Sequence, residues 1–165
     1  MLREIYDLAI LGPTSGNRLP SRFVFVRGER AKRRLLPLIA PGNQHKVATA
    51  PVTVVIGYDL NFYVHLHRLH AHRDNSDDYR QSPSLAEQTA FRNGSLQGAY
   101  LMIAARALGL DCGPLSGFDQ EGVNEMFFKG TAVRSNFLCC LGYGDPEYLF
   151  PRHPRFDFDE ICELV

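Results

Sequence analysis

Apolar residues recur along this chain with two alternating periods. Leu2, Ile5, Tyr6, Ala9 and Ile10 share one face at helical spacing, and Gly12-Pro13 ends that run. Phe23-Val24-Phe25-Val26, enclosed by Arg22 and Arg27, is a short β-rich run that reads as a buried strand. Ala31, Leu35, Leu38 and Ile39 return to the helical period with Arg30, Arg33 and Arg34 opposite them, so that basic cluster reads as a solvated helix face. A second strand is predicted over 52–58 and a third over 136–141.

Between those strands the spacing predicts the longest helix, over 85–108. Ser84-Leu85-Ala86-Glu87 has capping-box form at its start, and Gly109 supplies a left-handed stop. Ala90, Gly94, Gly98 and Ala104 are small enough for another helix to approach, while Leu96, Tyr100, Leu101 and Ile103 are strongly apolar. So apolar a helix is hard to cover within a short chain, and a second subunit is expected to cover it. Further short helices are predicted over 120–128 and 157–164. Interleaved helices and strands without internal repeats predict an α/β or α+β layered domain.

Composition narrows the function classes. With 165 residues, 45% of them apolar, the chain can bury one full core, so a single domain over 1–165 is expected. Lysine plus arginine equals aspartate plus glutamate at 18 each, so no global field recruits nucleic acid or an anionic membrane. Small molecules or copies of the same chain are the expected partners. Cys112, Cys139, Cys140 and Cys162 form no Cys-x-x-Cys pair, and on a strand Cys139 and Cys140 would point to opposite faces. A reduced, cytoplasmic protein is expected. No stretch reaches the roughly 18 apolar residues of a membrane span, and the first residues lack a signal peptide's apolar core.

Two loops carry the candidate chemistry. Gly12-Pro13-Thr14-Ser15-Gly16-Asn17 and Gly113-Pro114-Leu115-Ser116-Gly117-Phe118-Asp119 are rich in backbone and hydroxyl hydrogen-bonding groups and poor in charge. That suits a flat, polar-edged, uncharged ring better than a phosphate or a metal. Taken singly, each is also ordinary turn chemistry. His65, His67, His70 and His72 crowd a short stretch in which His67 and His70 could share a helical face. The stretch has no i, i+4 histidine pair and no cysteine partner, and Asp74, Asp77 and Asp78 make it read as polar surface; a histidine-rich metal binder is the alternative. Cys112 reads as a small core thiol. With no Gly-x-Gly-x-x-Gly and no P-loop, a nicotinamide donor would dock transiently rather than occupy a Rossmann crevice.

Four elements in order carry a resemblance to a known family. They are Pro13, Thr14, Ser15, Asn17, Pro20 and Phe23; then Asn43-Gln44-His45-Lys46; then Leu108-Gly109-Leu110 with Pro114 to Asp119; then Leu141 to Gly144 with Arg152. Together they resemble the nitroreductase family of FMN-dependent homodimeric reductases, with Leu19 at a position usually glutamine and Ser21 at one usually tryptophan. Ala86 to Asn93 and Ser116 to Asp119 look closest to its malonic-semialdehyde reductase branch.

The resemblance implies an α+β fold of three layers, α/β/α, with a mostly antiparallel sheet and an interlocked homodimer. It implies FMN as cofactor and NAD(P)H as electron donor. A ping-pong cycle would end on a small acceptor: a nitro compound, a quinone or a semialdehyde such as malonic semialdehyde. Pro13, Thr14, Ser15 and Asn17 would meet the flavin from the opposite subunit, and Pro114, Leu115, Ser116 and Gly117 would meet N5. Asn43 and Lys46 would line the ring, with Lys46 stabilising the reduced anion, and no acid/base triad is needed because the flavin supplies the chemistry. Family members usually begin with an Arg-x-Ser-x-Arg/Lys helix that clasps the phosphate. The sequence starts after that point, so phosphate binding is expected to rest on Arg152 and Arg155, and Phe150 stands where the family carries lysine. The rival from another class is a noncatalytic degenerate flavin-fold dimer serving as a binding module.

Overall fold

A computed structural model describes residues 1–70, 72 and 74–165. In chain order its elements are α1 (Leu2–Ala9), β1 (Ser21–Val26), α2 (Glu29–Leu35), α3 (Pro41–Thr49), β2 (Val52–Asp59), α4 (Leu66–Leu69), α5 (Ser76–Gln81), α6 (Pro83–Ala107), β3 (Asp111–Leu115), α7 (Gln120–Phe127), β4 (Val133–Gly142) and α8 (Phe158–Ile161). The strands form one antiparallel sheet in the order β1-β2-β4-β3. Strand alternation sorts the core onto its two faces. Val54, Ile56, Cys139 and Leu141 pack with Ile5 of α1 and Leu101 and Ala105 of α6. Val55, Leu138 and Cys140 pack with Leu35 of α2, Val47 of α3 and Val123 of α7. The result is the expected α+β fold with α/β/α layering, and Cys139 and Cys140 do fall on opposite faces.

Three predicted strands are present, and β3 is one that the spacing did not predict. Its sequence, Asp-Cys-Gly-Pro-Leu, carries two turn formers, yet it pairs with β4 from Asp111 opposite Gly142 to Leu115 opposite Leu138. Proline is tolerated there because β3 is an edge strand, where a missing N–H breaks no ladder. Thus the first three residues of the second candidate loop, Gly113 to Leu115, are sheet. The helix predicted over 157–164 is confined to α8.

At α6 the expected capping box does not form. Ser82 is the N-cap, without a side-chain bond, and Pro83 opens the helix, where its missing N–H costs nothing. Glu87 pairs instead with Arg134 of β4 at 2.6 Å, while Asp157 and Glu160 form a capping box on α8. Gly109 does end α6, at φ +83, in a left-handed turn closed by the Leu110 N–H donating to the Ala105 carbonyl at 3.0 Å.

The small residues of α6 are also corrected. Ala90 and Ala104 lie in the chain's own core, and a Cβ at Gly94 would stand 2.9 Å from Tyr58 Cβ. They let α6 settle on its own sheet rather than admit a foreign helix. The solvent side of α6 instead presents Phe91, Leu96 and Ile103, at 51%, 40% and 67% exposure. Arg30, Arg33 and Arg34 are exposed as expected, but Lys32 between them is buried and donates to the Ala48 carbonyl at 3.3 Å. That contact caps the carbonyl end of α3, where a cation is favoured. Beyond Gly144 every residue is exposed, including Tyr148, Leu149, Phe150, Phe156 and Phe158.

Candidate functional site

Lys46 and the end of β3 meet at one edge of the sheet. Lys46 lies on α3, whose buried Val47 docks the helix against the sheet. Its Nζ donates to the Pro114 carbonyl at 3.3 Å. After Leu115 the chain leaves the sheet, and the Gly117 carbonyl accepts from the Ala40 N–H at 3.0 Å, tying the loop to the start of α3. At Gly117 a Cβ would stand 2.8 Å from Asn43 Nδ2 and 3.2 Å from Ala40 Cβ, so only glycine lets the loop lie this close to Asn43. Among the described residues the backbone N–H groups of Ser116 and Gly117 have no acceptor. The structure therefore brings Asn43, Lys46, Pro114, Leu115, Ser116 and Gly117 into one cluster: adjacent unpaired amides, a side-chain amide and one ammonium.

The loop of Pro13, Thr14, Ser15 and Asn17 is built separately, on α6. Asn93, Gln97 and Tyr100 recur at helical spacing on one face. Asn93 Oδ1 accepts from the Ser15 N–H at 2.9 Å, Gln97 Oε1 from the Ser21 N–H at 2.9 Å, and the Tyr100 hydroxyl donates to the Pro13 carbonyl at 2.9 Å. Asn93 and Gln97 are buried, so these bonds are shielded from water. Gly16, Asn17 and Leu19 all take positive φ, at +52, +52 and +41. Leu19 in particular pays on the order of 1–2 kcal/mol for that conformation, which persists only if its surroundings enforce it. Asn17 Nδ2 donates to the Leu69 carbonyl at 2.8 Å, and Ser15 remains exposed.

The two groups do not meet within one chain. The loop leads into β1 and belongs to the α1/α6 layer; Lys46 and β3 lie at the opposite sheet edge, with α3 in the other layer. Three strand spacings of about 4.8 Å separate those edges. Among the described residues no hydrogen bond or ion pair joins the groups. Arg152 is exposed in the segment after Gly144, and among the described residues no hydrogen bond or ion pair joins it to either group.

Residues that hold the loop were missed as functional in the sequence. Asn93, Gln97 and Tyr100 were legible as one polar stripe on an apolar helix; Arg18 carried no such signal. The histidines do not share a helical face: His67 lies within α4, whereas His70 is its C-cap. No three metal-ligating side chains converge among the described residues. Cys112 is half-buried, and burial pushes its thiol pKa up; burial pushes Cys139 up to about 12. Both are poor nucleophiles at neutral pH. No described helix is long and apolar enough to cross a membrane.

This donor set fits a neutral ring with acceptor atoms along an edge, which gains negative charge on reduction. Comparison with known proteins points the same way. A family model described as "Nitroreductase family" matches residues 1–144. A Burkholderia lata protein, provisionally named NADH dehydrogenase/NAD(P)H nitroreductase, is 56% identical over 164 residues, covering 99% of this chain and 84% of its own. Two solved structures share the fold at 22% identity. The provisionally named nitroreductase YdfN of Bacillus subtilis has a TM-score of 0.85 over 99% of this chain and 86% of its own. A provisionally named nitroreductase of Exiguobacterium sibiricum, solved in complex with FMN, has a TM-score of 0.84 over 99% and 85%.

Proposed function

The chain belongs to the nitroreductase family, and from that premise we propose an FMN-dependent oxidoreductase that passes electrons from NAD(P)H to a small acceptor in a ping-pong cycle. FMN, when bound, would supply the two-electron redox chemistry that such a cycle needs. The observation that carries the reading is the pair of unpaired amides at Ser116 and Gly117 beside the Lys46 ammonium. Those N–H groups would hold the ring edge, Asn43 would orient it, and Lys46 would offset the charge gained on reduction. The name of the Burkholderia lata relative supports a nitro compound as acceptor; a quinone or a semialdehyde has the same two-electron demand. The test is spectroscopic. The purified protein should take up FMN, show flavin absorbance that bleaches with NADH or NADPH, and recover it on adding a nitroarene. A colourless protein that rejects added FMN overturns this reading.

A second copy completes the site in this proposal. The loop of Pro13 to Asn17 and the Lys46 cluster lie at opposite sheet edges, which a symmetric pair could bring together, so that each site takes one group from each chain. Two exposed apolar surfaces support that arrangement: Phe91, Leu96 and Ile103 on α6, and the aromatic segment after Gly144. Arg152 would reach a partner's site from that segment. Ile103→Asp places a charge on the exposed side of α6 without touching the core. It should yield a folded monomer in sedimentation with FMN affinity at least about tenfold weaker, a loss of about 1.4 kcal/mol. A wild-type monomer that binds FMN, or a dimeric Ile103→Asp, overturns the two-chain site.

A further inference from the structure

We propose that Arg18 is a positioning residue that locks the Ser15 loop into its flavin-binding shape by pinning it to Tyr79; this rests on the FMN reading above. Arg18 follows directly on Asn17, and its side chain turns back over its own loop. Its Nη1 donates to the Ser15 carbonyl and, at 3.0 Å, to Ser15 Oγ. Its Nε donates to the Tyr79 hydroxyl at 2.5 Å, and its guanidinium carbon stands 5.3 Å from the centre of the Tyr79 ring. One planar fork therefore joins the strained turn to α5, a segment more than sixty positions away, with hydrogen bonds to Ser15 on one side and a hydrogen bond plus cation–π attraction to Tyr79 on the other.

Tyr79 is a fixed anchor. It is buried at 5% exposure, its ring packs at 4.9 Å from that of Phe62, and it belongs to the cluster of Tyr58, Phe62, Leu66 and Ala90. The turn it steadies has three left-handed residues among Gly16, Asn17, Arg18 and Leu19. Asn93 and Tyr100 fix only its first half, through Ser15 N–H and Pro13. Arg18 grips Ser15 from the other side. Its three donor contacts, through Nε and Nη1, and its stacking face are all engaged within the chain, so Arg18 orients the loop. Lysine would keep the charge but not the planar fork or the two-sided grip.

The test uses full-length protein stripped of flavin and titrated with FMN and with riboflavin by fluorescence quenching. Arg18→Gln should weaken both ligands equally, by about tenfold, and alter the visible circular dichroism of bound flavin at saturation. Arg18→Lys should stay as weak, and Tyr79→Phe, which removes only the hydroxyl acceptor, should fall between them and wild type. Should Arg18→Gln not fold, Tyr79→Phe carries the test by the same criterion. Unchanged affinity for both ligands, or full rescue by lysine, overturns the positioning role. Weakening of FMN alone overturns it in favour of a phosphate contact. A wild-type protein that binds neither ligand overturns the FMN reading itself.

Discussion

A chain carrying Gly98→Asp is expected not to fold. Gly98 lies on the buried side of α6, where a Cβ would stand 2.6 Å from the Phe137 ring and 3.4 Å from Ile56. The new side chain must displace an aromatic ring in a packed core, which costs about 1–3 kcal/mol. Its carboxylate then sits among apolar neighbours with no partner, at a further several kcal/mol. Against a total stability of about 5–15 kcal/mol for a typical domain, the sum is enough to unfold it. Far-UV circular dichroism and the soluble fraction are the measurements, and Gly98→Ala, retaining only the steric part, should fold with a lowered thermal midpoint. The contrast with Ile103→Asp is informative: one charge destroys the monomer, and the other disturbs only what lies outside it. A soluble Gly98→Asp with a wild-type midpoint would mean that α6 does not sit on β2 and β4 as described.

Lys46→Met is expected to spare the fold and slow reduction. Methionine keeps the length of the side chain and removes the ammonium that bonds Pro114. At about 4 Å and an effective dielectric near 20, a unit charge pair is worth on the order of 4 kcal/mol. Lys46 is partly exposed, so solvent screening leaves a fraction of that, about 1.4 kcal/mol, equivalent to roughly 30 mV for a two-electron couple. The flavin potential should fall by tens of millivolts, and reduction by NAD(P)H should slow about tenfold. Xanthine-oxidase reduction against a reference dye gives the potential, and stopped flow gives the rate. Unchanged values would leave Lys46 as a strut between α3 and β3, and Asn43 would lose its assigned role with it.

The sequence was most legible where apolar periodicity and burial coincide. β1, β2 and β4 announce themselves through β-branched and aromatic runs, and α6 through its length and Gly109. Periodicity failed where a local rule yielded to tertiary context. Gly113-Pro114 reads as a turn, yet its position at a sheet edge makes it a strand. Ser84 and Glu87 have the spacing of a cap, but Pro83 begins the helix two residues too early, and Arg134 claims the carboxylate. Gly94 and Gly98 read as room for another helix, yet they face Tyr58 and Phe137 of their own sheet, because composition cannot say which partner a small residue faces. The candidate site was half legible for a related reason. Asn43, Lys46 and the segment from Pro114 to Gly117 converge because α3 and β3 are neighbours in the fold, whereas Arg18 works through Tyr79, a pairing with no trace in local spacing.

The proline in β3 has a bearing on solubility as well. An outer strand with a full row of free donors invites a stray chain to add on and so to seed fibres. At Pro114 that row lacks a donor, and the carbonyl there is already taken by Lys46. A newly made chain that has yet to acquire its cofactor thus presents a border on which foreign strands cannot zip up, while the free amides just beyond it stay open to a small molecule.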